Sequence, residues 1–91
     1  MIFVALPDVE VALARVAARV LAGGHNVQEE TVRRRFKAGL HYFFDTYRSR
    51  VDAWSLWENA NEQPTIVANS EDHLETIYDQ QRWDHLQSLS R

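Results

Sequence analysis

Ile2-Phe3-Val4-Ala5-Leu6-Pro7-Asp8 is an apolar run that stops abruptly at a proline and an acid. The run does not alternate and is rich in β-branched and aromatic residues, the pattern of a strand covered on both faces in a parallel sheet. Pro7-Asp8 predicts a helix start, with Asp8 as N-cap and Glu10 in the first turn, where negative charge suits the helix dipole. Val9, Leu13, Val16 and Val20 then fall on one helical stripe, while Arg15 and Arg19 stand one turn apart on another face. Gly23-Gly24 ends this helix, because glycine takes the left-handed conformation beyond a helix end at little cost. A strand feeding directly into a helix is the opening unit of an α/β fold.

Beyond His25, Asn26 followed by Glu29 predicts a capping box, and Val32, Phe36, Leu40, Phe43 and Tyr47 make the long apolar stripe of a second helix that fades around Arg48 to Asp52. Trp54, Leu56 and Trp57, then Thr65-Ile66-Val67-Ala68, read as two strands of a hairpin whose turn contains Asn61, a residue able to take a left-handed conformation. Ser70 is expected to cap a last helix, with Glu71 and Asp72 in its first turn and Leu74, Ile77, Tyr78 and Trp83 as its apolar content. The expected architecture is a single α/β domain over residues 1–91: three helices, one buried strand of parallel type and a β-hairpin.

Composition narrows the function. An apolar fraction of 45% is ample for a globular chain, and 91 residues fit one domain near the small end of what supports its own core. Without cysteine there is no disulfide framework and no thiolate metal site, which suits a reducing compartment; the cytoplasm is the expected location. The opening apolar run has no basic leader and is far too short for a membrane span. A net charge of −3 argues against broad attraction to nucleic acid or an anionic membrane. The basic residues are nevertheless distinctive: nine are Arg against the single Lys37, and five of the nine lie between Arg15 and Arg35. Arginine presents a planar fork of donors that matches phosphate oxygens two at a time, so a local anion site is indicated.

Arg15-Val16-Ala17-Ala18-Arg19-Val20-Leu21-Ala22-Gly23-Gly24-His25-Asn26-Val27, followed by Thr31-Val32-Arg33-Arg34-Arg35-Phe36, resembles the second half of zeta-toxin-like P-loop kinases, in the pattern R-V-x-x-R-V-x-x-G-G-H-x-V and then a hydrophobic residue ahead of an Arg pair. The likeness continues at Tyr47, Asp52, Trp54 and Leu56-Trp57-Glu58-Asn59, closes with Pro64 and Ile66-Val67-Ala68, and covers residues 2–68. Within it Gln28 replaces the usual Pro and Glu58 the usual Asp. The resemblance implies the C-terminal part of a P-loop kinase-like fold and ancestry among ATP-dependent small-molecule kinases, some of which phosphorylate UDP-N-acetylglucosamine. It also implies that Arg15, Arg19, Arg33 and Arg34 are lid arginines that reach phosphate, with Gly23, Gly24 and His25 as the link between their helices. ATP and magnesium are implied for a complete member. These residues contain no phosphate loop: the glycines are Gly23, Gly24 and Gly39, and Lys37 is followed by Ala38 where a Walker A motif needs Ser or Thr. No catalytic residue and no cofactor is therefore expected here, and a missing N-terminal kinase half is one candidate partner.

Plainer readings stand beside these. Glu29 and Glu30 are spaced to pair with Arg33 and Arg34. His25, beside a glycine cap, is placed to bind free helix carbonyls. His41, His73 and His85 lack a partner at ligand spacing, so no metal is expected. Trp54 and Trp57 could stack a ligand or simply pack, and Asp45 and Asp52 read as surface carboxylates. A helix, a glycine turn and a helix opening on three arginines also suggest a helix-turn-helix, but the negative charge and the apolar second helix oppose specific DNA binding. A non-catalytic interaction module is the third class. Its motive is an apolar first strand without charge or internal Pro, next to a helix rich in aromatic residues, which together predict a two-fold homodimer.

Overall fold

The expected first strand forms over Ile2–Ala5 (β1) in the computed structural model, which describes residues 1–60 and 63–91. Asp8 caps the next helix, Val9–Leu21 (α1): the Val11 N–H donates to its Oδ1 at 3.0 Å, satisfying a donor that a helix start leaves free. The helix stops at Gly23, whose φ of 96° is left-handed, and the Gly24 N–H closes the cap on Arg19 O at 2.8 Å. A Cβ on Gly24 would sit 2.8 Å from that same oxygen, so the tight approach requires the second glycine as well.

The second helix runs through Glu29–Tyr42, widens into a π-type turn over Phe43–Tyr47 and ends with Arg48–Arg50; residues 29–50 together are α2. The Asn26 capping box does not form. Gln28 occupies the cap position without a side-chain bond, and the helix start is served by the carboxylates of Glu29 and Glu30 in its first turn. Within the wide turn the neighbours Phe43 and Phe44 are both buried in the core.

The hairpin is present as β2 (Trp54–Glu58) and β3 (Thr65–Glu71); Asn61, assigned to its turn, lies outside the described residues. Ser70 does not cap a helix. It is buried within β3, and the chain reverses at Asp72 and His73 into a further strand, Leu74–Ile77 (β4). Both turn residues have positive φ, 51° and 65°, as a two-residue hairpin loop of the twisted kind demands. The last helix, Gln80–Leu89 (α3), starts later, capped by Asp79, which accepts from the Arg82 N–H at 3.1 Å.

Among the described residues the result is a mixed α/β fold, three helices on a four-stranded sheet of order β1-β2-β3-β4 in which β1 and β2 are parallel and the other pairs antiparallel. The helices gather on the face carrying Phe3, Ala5, Trp54, Leu56 and Ala68. Phe43, with no exposed surface, is the hub of that core: its ring centroid lies 5.0 Å from Phe3 and 5.1 Å from both Phe44 and Trp54. Trp54 in turn stacks on Trp83, so it packs rather than offering a ligand platform. Trp57, on the opposite face, donates from its indole nitrogen to Ser55 Oγ.

One expectation fails on β1. It is not covered on both faces: Ala5 is buried, but Ile2 is 68% and Val4 52% exposed. Both helices of the β1-to-β2 crossover lie on the inner face, and β1 is an edge strand, so the outward row of the sheet has no helix to cover it.

Candidate functional site

α1 carries an apolar stripe, yet none of its residues is buried. It leans on α2 incompletely, and between α1, α2 and β1 lies an open cleft of about 340 Å³. Phe3 from β1, Val16 from α1, and Val32, Phe36 and Leu40 from α2 supply its apolar lining. Arg15 and Arg19 from α1 and Arg35 from α2 supply its charge, and no carboxylate lines it. Arg15 is tethered, its Nη2 donating to Asn59 O at 3.2 Å. Arg19 and Arg35 are exposed and make no hydrogen bond or ion pair with a described residue. Gly39 completes the wall, and open space surrounds the position its Cβ would take.

Of the four arginines assigned to phosphate, the structure brings Arg15 and Arg19 together and leaves Arg33 and Arg34 apart from them. Arg33 is a strut between helices: it donates to Glu29 Oε1 at 2.6 Å and reaches Glu10 on α1 at 3.4 Å. The Glu29 carboxylate, through that hydrogen bond, raises the Arg33 pKa above even its usual high value. Arg34 lies in a separate shallow groove with Lys37, His41 and Arg91. Arg35, from the same helix, lines the cleft in their place. At about 100° per residue, Arg34 points away from the Val32, Phe36 and Leu40 stripe while Arg33 and Arg35 flank it on opposite sides, so helical spacing alone does not choose between those two.

The Gly23-Gly24-His25 link joins the two arginine-bearing helices as expected, but His25 does not bind the helix carbonyls. The amides of Gly24 and Gly23 already occupy Arg19 O and Val20 O, and His25 is exposed. Elsewhere Glu58, buried at the end of β2, pairs with Arg82 of α3, which also holds Asp79 at 3.0 Å. His85 Nε2 donates to Pro7 O at 2.9 Å, and His41 sits 3.8 Å from Asp45, an exposed carboxylate as anticipated. The Glu58–Arg82 pair and the His85–Pro7 hydrogen bond fasten the terminal helix to the rest of the fold.

No family model, curated protein or solved structure matches this chain. Chemistry therefore has to be argued from the cleft itself. Its lining offers guanidinium groups and apolar surface, but no hydroxyl, imidazole, amine or carboxylate that could act as nucleophile or general base. Such a site can hold an anion attached to an apolar or planar body. Among the described residues no group of three His, Cys, Asp or Glu is placed to hold a metal, and no helix is long and apolar enough to cross a membrane.

Proposed function

We propose that this chain is the arginine-bearing lid part of a zeta-toxin-like small-molecule kinase, binding phosphate groups without being able to transfer them by itself. The observation that carries the reading is the cleft between α1, α2 and β1, where Arg15, Arg19 and Arg35 converge and no acid neutralises them. Stabilising charge on phosphoryl oxygens is what arginine does well in phosphoryl transfer, and it needs no other group at that point. The triphosphate of a nucleotide fits this donor set. Magnesium does not, because it demands oxygen ligands that the cleft lining lacks. Calorimetric titration with pyrophosphate and with ADP tests the reading: binding is expected for both, with Arg19→Ala plus Arg35→Ala abolishing it. Heat changes indistinguishable from dilution, or binding that survives the double substitution, would remove its basis. Steady-state ATP hydrolysis by these residues is expected to equal the buffer blank.

A second reading, self-association, has its own observation. Registered pairing places Ile2, Val4, Trp57, Ile66 and Leu74 on the helix-free sheet face, where the Tyr78 hydroxyl reaches Asn69 Oδ1 at 3.4 Å, and Leu74 is 76% and Tyr78 57% exposed. An apolar face of this kind repeated by a two-fold axis makes a closed homodimer. Light scattering coupled to size exclusion decides it, a monomer at high concentration being the adverse result.

A further inference from the structure

The open edge of β1 lies along the same cleft. Ser55 N–H donates to Met1 O at 2.9 Å and Asn59 N–H to Ala5 O at 2.8 Å, so the backbone groups of residues 1 and 5, and of Phe3 between them, face β2. Peptide groups alternate in direction along a strand, which turns the N–H and C=O of Ile2 and Val4 outward. They have no hydrogen-bond partner among the described residues. Natural edges are commonly blunted by charge, Pro or a bulge; Ile2-Phe3-Val4-Ala5 carries none of these. Beside this edge, Val4 and Leu6 border the cleft, and beyond it stands the half-covered stripe of α1.

We propose that this edge and cleft together receive an extended acidic segment of another protein, added to the sheet as a fifth strand. Its backbone pairs with Ile2 and Val4. Alternate apolar side chains enter the cleft against Phe3, Val16 and Phe36, and a carboxylate meets Arg19 and Arg35. Charge selects this occupant over a second copy of the chain, since a β1-to-β1 pairing would bring two sets of Arg15, Arg19 and Arg35 toward one another without an acid in either lining. The charge preference rests on the anion-binding reading given above, whereas the strand pairing rests on β1 alone.

The probe is a blocked peptide, acetyl-Val-Thr-Val-Thr-Glu-Thr-amide, whose two Val and one Glu share the cleft-facing side of a strand, compared with its Glu-to-Lys counterpart and with inorganic phosphate. Saturation with the acidic peptide should slow amide exchange at Ile2 and Val4 at least about tenfold, since a bonded amide exchanges only when its strand opens, while Phe3 and Ala5, already paired to β2, change little. Val4→Pro removes one outward N–H without touching the β2 ladder and should weaken the peptide about tenfold, leaving phosphate titration unchanged. Arg19→Ala with Arg35→Ala should weaken both. Equal binding of the Lys-containing peptide, or unaltered exchange at Ile2 and Val4 in the saturated wild-type protein, overturns the proposal. If phosphate binds and the peptide does not, strand docking is wrong while the anion site stands; if neither binds, both are wrong. Should Val4→Pro fail to fold, the exchange pattern of the wild-type protein still decides.

Discussion

Replacing Gly39 with Ala should make the protein more stable and its cleft less receptive. Gly39 lies in the interior of α2, its φ is not in the left-handed region, and a Cβ there would meet nothing within 4 Å. No strain or clash therefore offsets the helix-propensity gain of Ala over Gly, about 0.8–1.0 kcal/mol. For a domain of this size that gain corresponds to a rise in Tm of roughly 4–8 °C. The same methyl group points into the space between α1 and α2 beside Arg35, so pyrophosphate affinity should fall at the same time. Thermal and urea unfolding followed by tryptophan fluorescence would report the first effect, with Trp54 and Trp83 as buried reporters, and calorimetry the second. A destabilised Gly39→Ala protein would mean that the position is crowded or non-helical, and the geometry of the cleft wall described here would be wrong.

Phe43→Ala should cost about 3–5 kcal/mol, because the ring is wholly buried and meets Phe3, Phe44 and Trp54; a loss under 1 kcal/mol in urea unfolding would show that Phe43 is not the hub. Asp79→Ala removes the acceptor for Arg82 N–H at the start of α3 and should cost about 1 kcal/mol, whereas Ser70→Asn, if Ser70 were a helix cap, would be harmless; here it should destabilise by burying an extra amide. Arg33→Ala should leave phosphate binding unchanged, since that guanidinium is spent on Glu29 and Glu10 outside the cleft. Weakened phosphate binding in that variant would restore Arg33 to the site.

What could be read from the residues was local. Asp8 and Gly23 bracket α1 because cap and stop signals act within one turn, and the Val32 to Phe43 stripe has a single helical interpretation. Leu74, Ile77, Tyr78 and Trp83 misled because their spacing also fits a helix, and the turn that makes Leu74–Ile77 a strand uses Asp72 and His73 in place of the glycine that usually marks it. Asn26 resembled a cap, but the chain instead enters α2 at Glu29, next to the Arg33 it pairs with. Burial of β1 was overestimated because an uninterrupted apolar run does not say whether its second face meets a helix or stays bare. In the cleft, the spacing of Arg15 and Arg19 was enough to put them on one side of α1, whereas Arg33 is drawn off by Glu29 and by Glu10 on the neighbouring helix, and Arg35, to which the sequence reading gave no role, lines the cleft instead.

The most direct test of the central claim is a titration of isotopically labelled protein with pyrophosphate, followed by amide and guanidinium NMR shifts in the wild type and in the Arg19→Ala plus Arg35→Ala protein. Saturable shifts centred on Arg15, Arg19, Arg35 and Gly39, lost in the double variant while its fold persists, are the predicted result. Shifts centred on Arg34 and Lys37, or a titration that the double substitution leaves untouched, would contradict a phosphate site between α1, α2 and β1.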